Sequence, residues 1–346
     1  MGKQIRFLTV SHPADSWYTL KKGAIKRCAL LAAAKIGVSN EYTREVSDMY
    51  ELIRAGERTY YIDCPVKIGL FLLDKSHACL IDGGSGKDAA KKALKILDAQ
   101  GWQLSCVINT HSHGDHIGGN QLLQKRTGCQ IFAKGMECAF TLNPVLEPAF
   151  LYGGFPPNAL RNHFLEAAPS NALPLDSQGF PQELEVIDLP GHSFDMIGLR
   201  TPDDVVFLAD ALVSEEAIQK YQVSFLYDVK GYLATLQKVE QMQARLFIPS
   251  HAAATEEIAP LARANREKIV QIIEYLLNLC QAPHSFEEIL QAVFHQYALT
   301  MDCNQYVLVG STVRSYLAYL YQQQKLSFRF VSNRMLWQTQ PEQQDE

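Results

Sequence analysis

The ten residues Thr110-His111-Ser112-His113-Gly114-Asp115-His116-Ile117-Gly118-Gly119 follow directly on the apolar run 104–108. Three imidazoles and a carboxylate thus fall within six positions, in a chain that holds only 10 histidines. A strand that hands its polar tip to a tight, glycine-containing turn aims such side chains at one point. Imidazole nitrogen and carboxylate oxygen are the donors that Zn²⁺ and related divalent cations prefer. A solvated loop that happens to be rich in histidine gives no reason for this spacing. The stretch predicts a metal site mounted on the end of a strand.

Three further apolar runs end the same way. Residues 184–189 run through Pro190-Gly191 into His192, residues 205–209 run into Asp210, and residues 245–249 run through Ser250 into His251. Ligands at strand tips sit on a rigid scaffold and can converge from distant positions. Any one of these, taken alone, reads as an ordinary structural His or Asp. Four polar groups in the same position relative to a strand read as one site.

Strands and helices alternate around them. Residues 59–64, 68–73 and 78–81 are short and rich in β-branched and aromatic side chains, as strands are. Asp82-Gly83-Gly84-Ser85-Gly86 ends the third, and a helix is expected over 87–99 with Gly101 closing it. Residues 104–109 form the strand that feeds the histidine turn, and another helix is expected over 121–127. Strand, helix, strand at this spacing makes an α/β layer. Residues 139–180 break the pattern, with Pro144, Pro148, Gly153-Gly154, Pro156-Pro157 and Pro169 set among Phe150, Tyr152 and Phe155. They form either a lid with aromatic rings facing a ligand, or a surface loop packed on its own aromatics.

A length of 346 residues suggests two domains, and the pattern changes period after Pro260. Ile269, Ile272, Ile273, Leu276 and Leu279 mark an amphipathic helix. Ser285 with Glu288 is a capping box for a second, which carries Phe286, Ile289, Leu290, Val293 and Phe294 on one face. Val309, Val313, Tyr316, Leu317 and Leu320 mark a third, and 326–331 with 334–339 around Ser332-Asn333 reads as a β-hairpin. Three helices and a hairpin suggest a small winged-helix-like domain over 263–346, after a main domain over 49–262. Arg314, Lys325, Arg329 and Arg334 give its surface a modest basic character. A packing or dimerisation module is preferred here to a nucleic-acid-binding one.

Residues 1–48 stand apart. Up to Asn40 they carry seven Lys or Arg against Asp15 alone, and they show no strand pattern. A floppy or artefactual extension is preferred here to a basic targeting arm. Arg44-Glu45-Val46 can be encoded by a purine-rich ribosome-binding sequence shortly before Met49, which would then be the start in a bacterial source. N-terminal sequencing of the natively expressed protein tests this, and a peptide covering residues 1–40 would sink it. Net charge is −5, so the remainder is acidic, which argues against a general polyanion binder. Eight cysteines without a CxxC pair fit reduced thiols in a cytoplasmic protein. No apolar run approaches the roughly 18–20 residues of a membrane span, and no signal peptide is evident.

Taken in order, His111-x-His113-x-Asp115-His116, His192 in Leu-Pro-Gly-His-Ser, Asp210 and His251 resemble the metallo-β-lactamase superfamily. The nearest branch is the glyoxalase-II-like hydrolases with two metals. The resemblance covers about residues 55–255, with Asp82 in Ile-Asp-Gly-Gly as a fifth motif; the helical tail resembles the winged-helix domain of some lactamase-like hydrolases more weakly. It implies an αββα sandwich in the α/β class, with His111, His113 and His192 on one metal and Asp115, His116 and His251 on the other. Asp210 would bridge the two, since a carboxylate has two oxygens with which to span two cations. Asp82 would sit behind the ligands and fix their loop.

The implied chemistry is hydrolysis of a small thioester or ester, or a lactone, by a metal-bridging hydroxide, with Asp115 holding or passing the proton. Zn²⁺ suits these ligands, and Fe or Mn would also fit. His at position 113, where redox-active diiron relatives have Glu, disfavours oxygen chemistry. No Cys stands at 192 or 251, unlike many true β-lactamases of the family. A phosphodiesterase or endoribonuclease using the same two metals is the alternative reading. Tyr152, Phe155 and Tyr227 are the candidates for a substrate pocket.

Overall fold

The computed structural model describes residues 50–340, and the basic segment 1–48 with the suggested start at Met49 lies outside them. The chain opens with an antiparallel meander of β1 (Glu51–Arg54), β2 (Thr59–Asp63), β3 (Ile68–Leu72) and β4 (His77–Ile81). Helix α1 (Lys87–Gln100) crosses over to β5 (Gln103–Ile108), which pairs parallel to β4, and the left-handed Gly101 closes the helix as expected. The histidine stretch follows as the one-turn helix α2 (Gly114–Ile117), then come α3 (Asn120–Thr127) and the parallel strand β6 (Gln130–Ala133).

The segment expected as lid or loop holds two short helices, α4 (Met136–Leu142) and α5 (Leu146–Tyr152). It then returns to the first sheet as β7 (Ala172–Pro174). Pro144 falls between the helices and Gly153 ends the second in a left-handed conformation, so the breakers delimit helices here.

A second sheet contains β8 (Glu185–Asp188), β9 (Ile197–Arg200), β10 (Val205–Val213) and β11 (Leu246–His251) in the order β11-β10-β9-β8. Helices α6 (Glu215–Tyr221) and α7 (Val229–Gln241) connect β10 to its parallel neighbour β11. Side-chain alternation along the strands sorts the cores. Phe71, Cys79, Ile108 and Phe132 of the first sheet meet Ile197, Leu199, Phe207 and Ile248 of the second. Leu70, Leu80, Val107 and Ile131 face the other way, onto Ala90, Ala93 and Leu97 of α1 and Leu123 of α3. Helices therefore cover the outer face of each sheet, which is the expected αββα arrangement.

Helices α8 (Ala259–Leu279), α9 (Phe286–Gln296) and α10 (Cys303–Gln322) follow. A three-stranded sheet of β12 (His284–Ser285), β13 (Leu326–Val331) and β14 (Arg334–Thr339) completes the described chain. The capping box at Ser285 is formed with both of its hydrogen bonds. Val313, Tyr316 and Leu317 of α10 lie in one continuous apolar cluster with Leu208 and Leu212 of β10 and Leu236 of α7. Each such buried side chain contributes about 1.5–3 kcal/mol, against about 1 kcal/mol for a helix cap. Packing on the second sheet thus holds these helices more than their own caps do. The boundary expected at residue 262 falls inside α8. Among the described residues no helix is long and apolar enough to cross a membrane, and seven free cysteines are present.

Candidate metal centre

The polar residues gather at the C-terminal ends of parallel strands. Asp82 follows β4, His111 follows β5 by three residues, and His251 is the last residue of β11. Asp210 departs from expectation. Strand β10 does not end at residue 209 but continues to Val213, and Asp210 lies inside it. The register against β11 shifts on either side of Ala209, whose φ of 51° is left-handed. A bulge of this kind re-aims one side chain out of the strand's alternation, and here it brings Asp210 among the histidines. Gly191, before His192, has a φ of 121°, and a Cβ there would lie 2.2 Å from the Tyr232 backbone nitrogen. Only glycine fits this approach.

Three sets of donor atoms, each within 4.8 Å of one another, could hold a cation: His111, His113 and His192; His111, His116 and Asp210; and Asp115, His116 and His251. His113 Nδ1 lies 3.0 Å from Nε2 of both His111 and His192. Asp210 faces three of the histidines, with oxygens 3.1 Å from His116 Nε2, 3.4 Å from His192 Nε2 and 3.2 Å from His251 Nε2. Asp115 Oδ2 is 3.4 Å from His251 Nε2.

The partners behind the rings decide which nitrogens are free. Thr110 Oγ1 donates to Asp82 Oδ2 at 2.8 Å, so it can accept only from His111 Nδ1, 3.1 Å away. His116 Nδ1 donates to Asp82 Oδ2 at 2.8 Å, and His192 Nδ1 to the Phe225 carbonyl at 3.2 Å. In its neutral form each of these three rings presents a bare Nε2 to the centre, the arrangement by which outer carboxylates and carbonyls fix ligating tautomers. Asp82 also accepts from the Thr110 backbone at 2.8 Å, and its left-handed φ of 68° is a strain typical of functional turns. His116 Nε2 and Asp210 Oδ1 are buried with no hydrogen-bond geometry to any partner among the described residues, although they lie 3.1 Å apart. Two such atoms facing a common point, in an oxygen and imidazole donor set, fit a divalent cation.

The electrostatics divide the cluster in two. Burial pushes His113 and His192 down to about 4 and His111 well below the usual imidazole range. Burial also opposes charge on His116, yet Asp210, Asp115 and Asp82 together hold it well above that range. Asp210 lifts His251 to about 10. Burial would raise Asp115, but His116 and His251 keep it at about 2. One side is neutral imidazole and the other is ion-paired.

Two buried carboxylates were not legible in the sequence. Glu147, in the first turn of α5, places Oε1 3.8 Å from His113 Nε2. Burial, with the charge of nearby Glu137, lifts it to about 8. Glu137 of α4 is fully buried and bonds to residues beside His113 and His192.

Phe225 sets its ring edge-on to His113 and His192 at 5.3 and 5.8 Å and walls that side of the centre. Two residues on, Tyr227 stacks 4.1 Å from Phe194 and lines a groove of about 780 Å³. The groove runs between α5 and α10 and is lined by Phe150, Tyr152, Tyr227, Lys230 and Arg314. Neither cation forms a salt bridge among the described residues; Arg314 stacks 3.7 Å over Phe286 instead. Of the three candidate pocket residues, Tyr152 and Tyr227 line this groove. Phe155 does not, and stands 83% exposed.

Two sheets packed face to face inside helical layers carry, at their strand ends, a His/Asp cluster whose donor set fits divalent cations. The chain belongs to the metallo-β-lactamase superfamily, whose sequence profile matches residues 63–251. The hydroxyacylglutathione hydrolase of Methylobacillus flagellatus is 32% identical over 136 residues, 39% of this chain and 43% of that protein. The atrochrysone carboxyl ACP thioesterase of Aspergillus fumigatus is 26% identical over 184 residues, 52% of this chain and 48% of its own length. The chain spans about half the length of these curated relatives. Among solved structures, a beta-lactamase domain protein from Burkholderia ambifaria has a TM-score of 0.65 at 18% identity, covering 84% of this chain and 94% of its own. A metallo-beta-lactamase family protein from Thermus thermophilus has a TM-score of 0.62 at 17% identity, covering 84% and 99%. At these identities the likeness is one of fold.

Proposed function

We propose that this chain is a hydrolase of small thioesters or esters that uses two divalent cations, zinc by preference. The observation that carries the reading is the convergence of His111, His113, His116, His192, His251, Asp115 and Asp210 on one place, with tautomers fixed from behind. His111, His113 and His192 would hold one cation, Asp115, His116 and His251 the other, and Asp210 would reach both. Such ions supply Lewis acidity toward a carbonyl oxygen and bring the pKa of water toward neutrality. Asp115, part-exposed like His251 beside it, would hold or pass a proton at Oδ2. Asp82 orients His116 and, through Thr110, His111. Phe225 excludes water from one side. The thioester preference rests on the relatives named hydroxyacylglutathione hydrolase and ACP thioesterase. We place the substrate's thiol half in the groove, where Lys230 and Arg314 would take an anionic tail. The unpaired cysteines fit a cytoplasmic setting.

The test combines metal analysis with a panel of thioesters, lactones, phosphodiesters and short RNA, on the wild type and on Asp210→Ala. About two metals per chain and thioester turnover that the substitution abolishes is the expected result. Cleavage of phosphodiesters or RNA alone would move the protein to the nuclease reading. A wild type that binds only trace metal would overturn both.

A further inference from the structure

Glu137 accepts four hydrogen bonds and gives none. Oε2 takes the Ser112 backbone N–H at 2.9 Å and the Ser112 hydroxyl at 2.5 Å. Oε1 takes the Ser193 hydroxyl at 2.7 Å and the Asp195 backbone N–H at 2.9 Å. The side chain is wholly buried. One oxygen is therefore committed to the loop that carries His113, and the other to the loop that carries His192. These loops are 79 residues apart in sequence, and their ring nitrogens stand 3.0 Å from each other. The brace is reciprocal, because Asp195 Oδ2 accepts the Met136 backbone N–H at 2.8 Å and so ties the start of α4 to the second loop.

From this geometry we infer that Glu137 is a positioning residue that sets the spacing of His113 and His192, and with it the strength of the metal site they share with His111. The inference rests on the metal assignment proposed above. Two of the four donors are backbone amides, which cannot turn to accept, so both oxygens must be acceptors. A glutamine would set its NH₂ against one of those amides and release one loop. An aspartate is one methylene too short to reach both. The ion-paired site should not feel the change, because His116 is fixed from behind by Asp82. The two short helices of the 136–152 segment thereby become part of the metal site without contributing a ligand to it.

The test is chelator competition on zinc-loaded wild type, Glu137→Gln and Ser193→Ala, with thermal melting of each metal-free chain. In Glu137→Gln one of two zinc ions is expected to bind about 10–100-fold more weakly, the usual range for a lost outer partner. The other ion should keep its wild-type affinity, and turnover should return when zinc is in excess. Ser193→Ala removes a single donor and should give a smaller shift of the same ion, which keeps the test open if Glu137→Gln does not fold. Unchanged affinities in a folded variant, or an equal loss at both ions, would overturn the inference. A wild type that holds no zinc would instead bring down the metal reading itself.

Discussion

The metal centre and the groove beside it are built in opposite ways. In the centre the imidazoles of His111, His116 and His192 are each bonded from behind, and Asp82 and Glu137 hold the loops that carry them. In the groove the rings of Tyr152 and Tyr227 are part-exposed and the cations of Lys230 and Arg314 have no carboxylate partner among the described residues. A buried polar network loses much when one member is removed, because the others are left unsatisfied. An exposed residue loses only its own contact. On the function proposed above, the chemistry would be fixed by the interior, whereas selectivity would rest on side chains that can change at little cost to the fold.

The largest effect should follow Asp210→Ala, which takes away the carboxylate facing His116, His192 and His251. Turnover of every substrate is expected to fall by about 10²–10³-fold, the scale of a lost charge-stabilising contact at a reacting centre. Steady-state kinetics on a charged and a neutral thioester check this, and a loss confined to one of them would break the comparison. A smaller and selective effect is expected from Lys230→Gln combined with Arg314→Gln. For thioesters with a phosphate or carboxylate tail, KM should rise about tenfold, below the full value of two charged hydrogen bonds because the groove is open to water. The N-acetylcysteamine thioester of the same acyl group has no such charge and should be hydrolysed as before. Equal losses on both would show that the cations act on the centre rather than on the tail. The smallest effect belongs to Phe155→Ala. This ring is 83% exposed and outside the groove lining, so stability should stay within about 0.5 kcal/mol and kcat/KM within about twofold.

Much of the centre was readable because its signals are local. His111, His113, Asp115 and His116 fall within one turn, and the apolar runs before His192 and His251 mark strands that deliver them to one end of a sheet. The strand pattern also carried the α/β layering, and Ser285 with Glu288 announced a helix start that is formed. The place of Asp210 inside β10 was not readable, since the bulge at Ala209 arises from pairing with β11 and leaves no mark in the local sequence. The helices of the 136–152 segment were hidden by their own breakers, because prolines and glycines that bound short helices look like those of a loop.

By itself, then, the sequence determined the donor types, their order and the scaffold that would gather them, because ligand spacing and strand period are properties of neighbouring residues. The tertiary structure alone decided what surrounds those donors. Glu137 meets Ser112 across 25 residues and Ser193 across 56, and Tyr227 shares a groove with Arg314 of a helix far along the chain. Such contacts depend on how sheets and helices pack, and packing brings together residues whose separation in sequence carries no information about their distance in space.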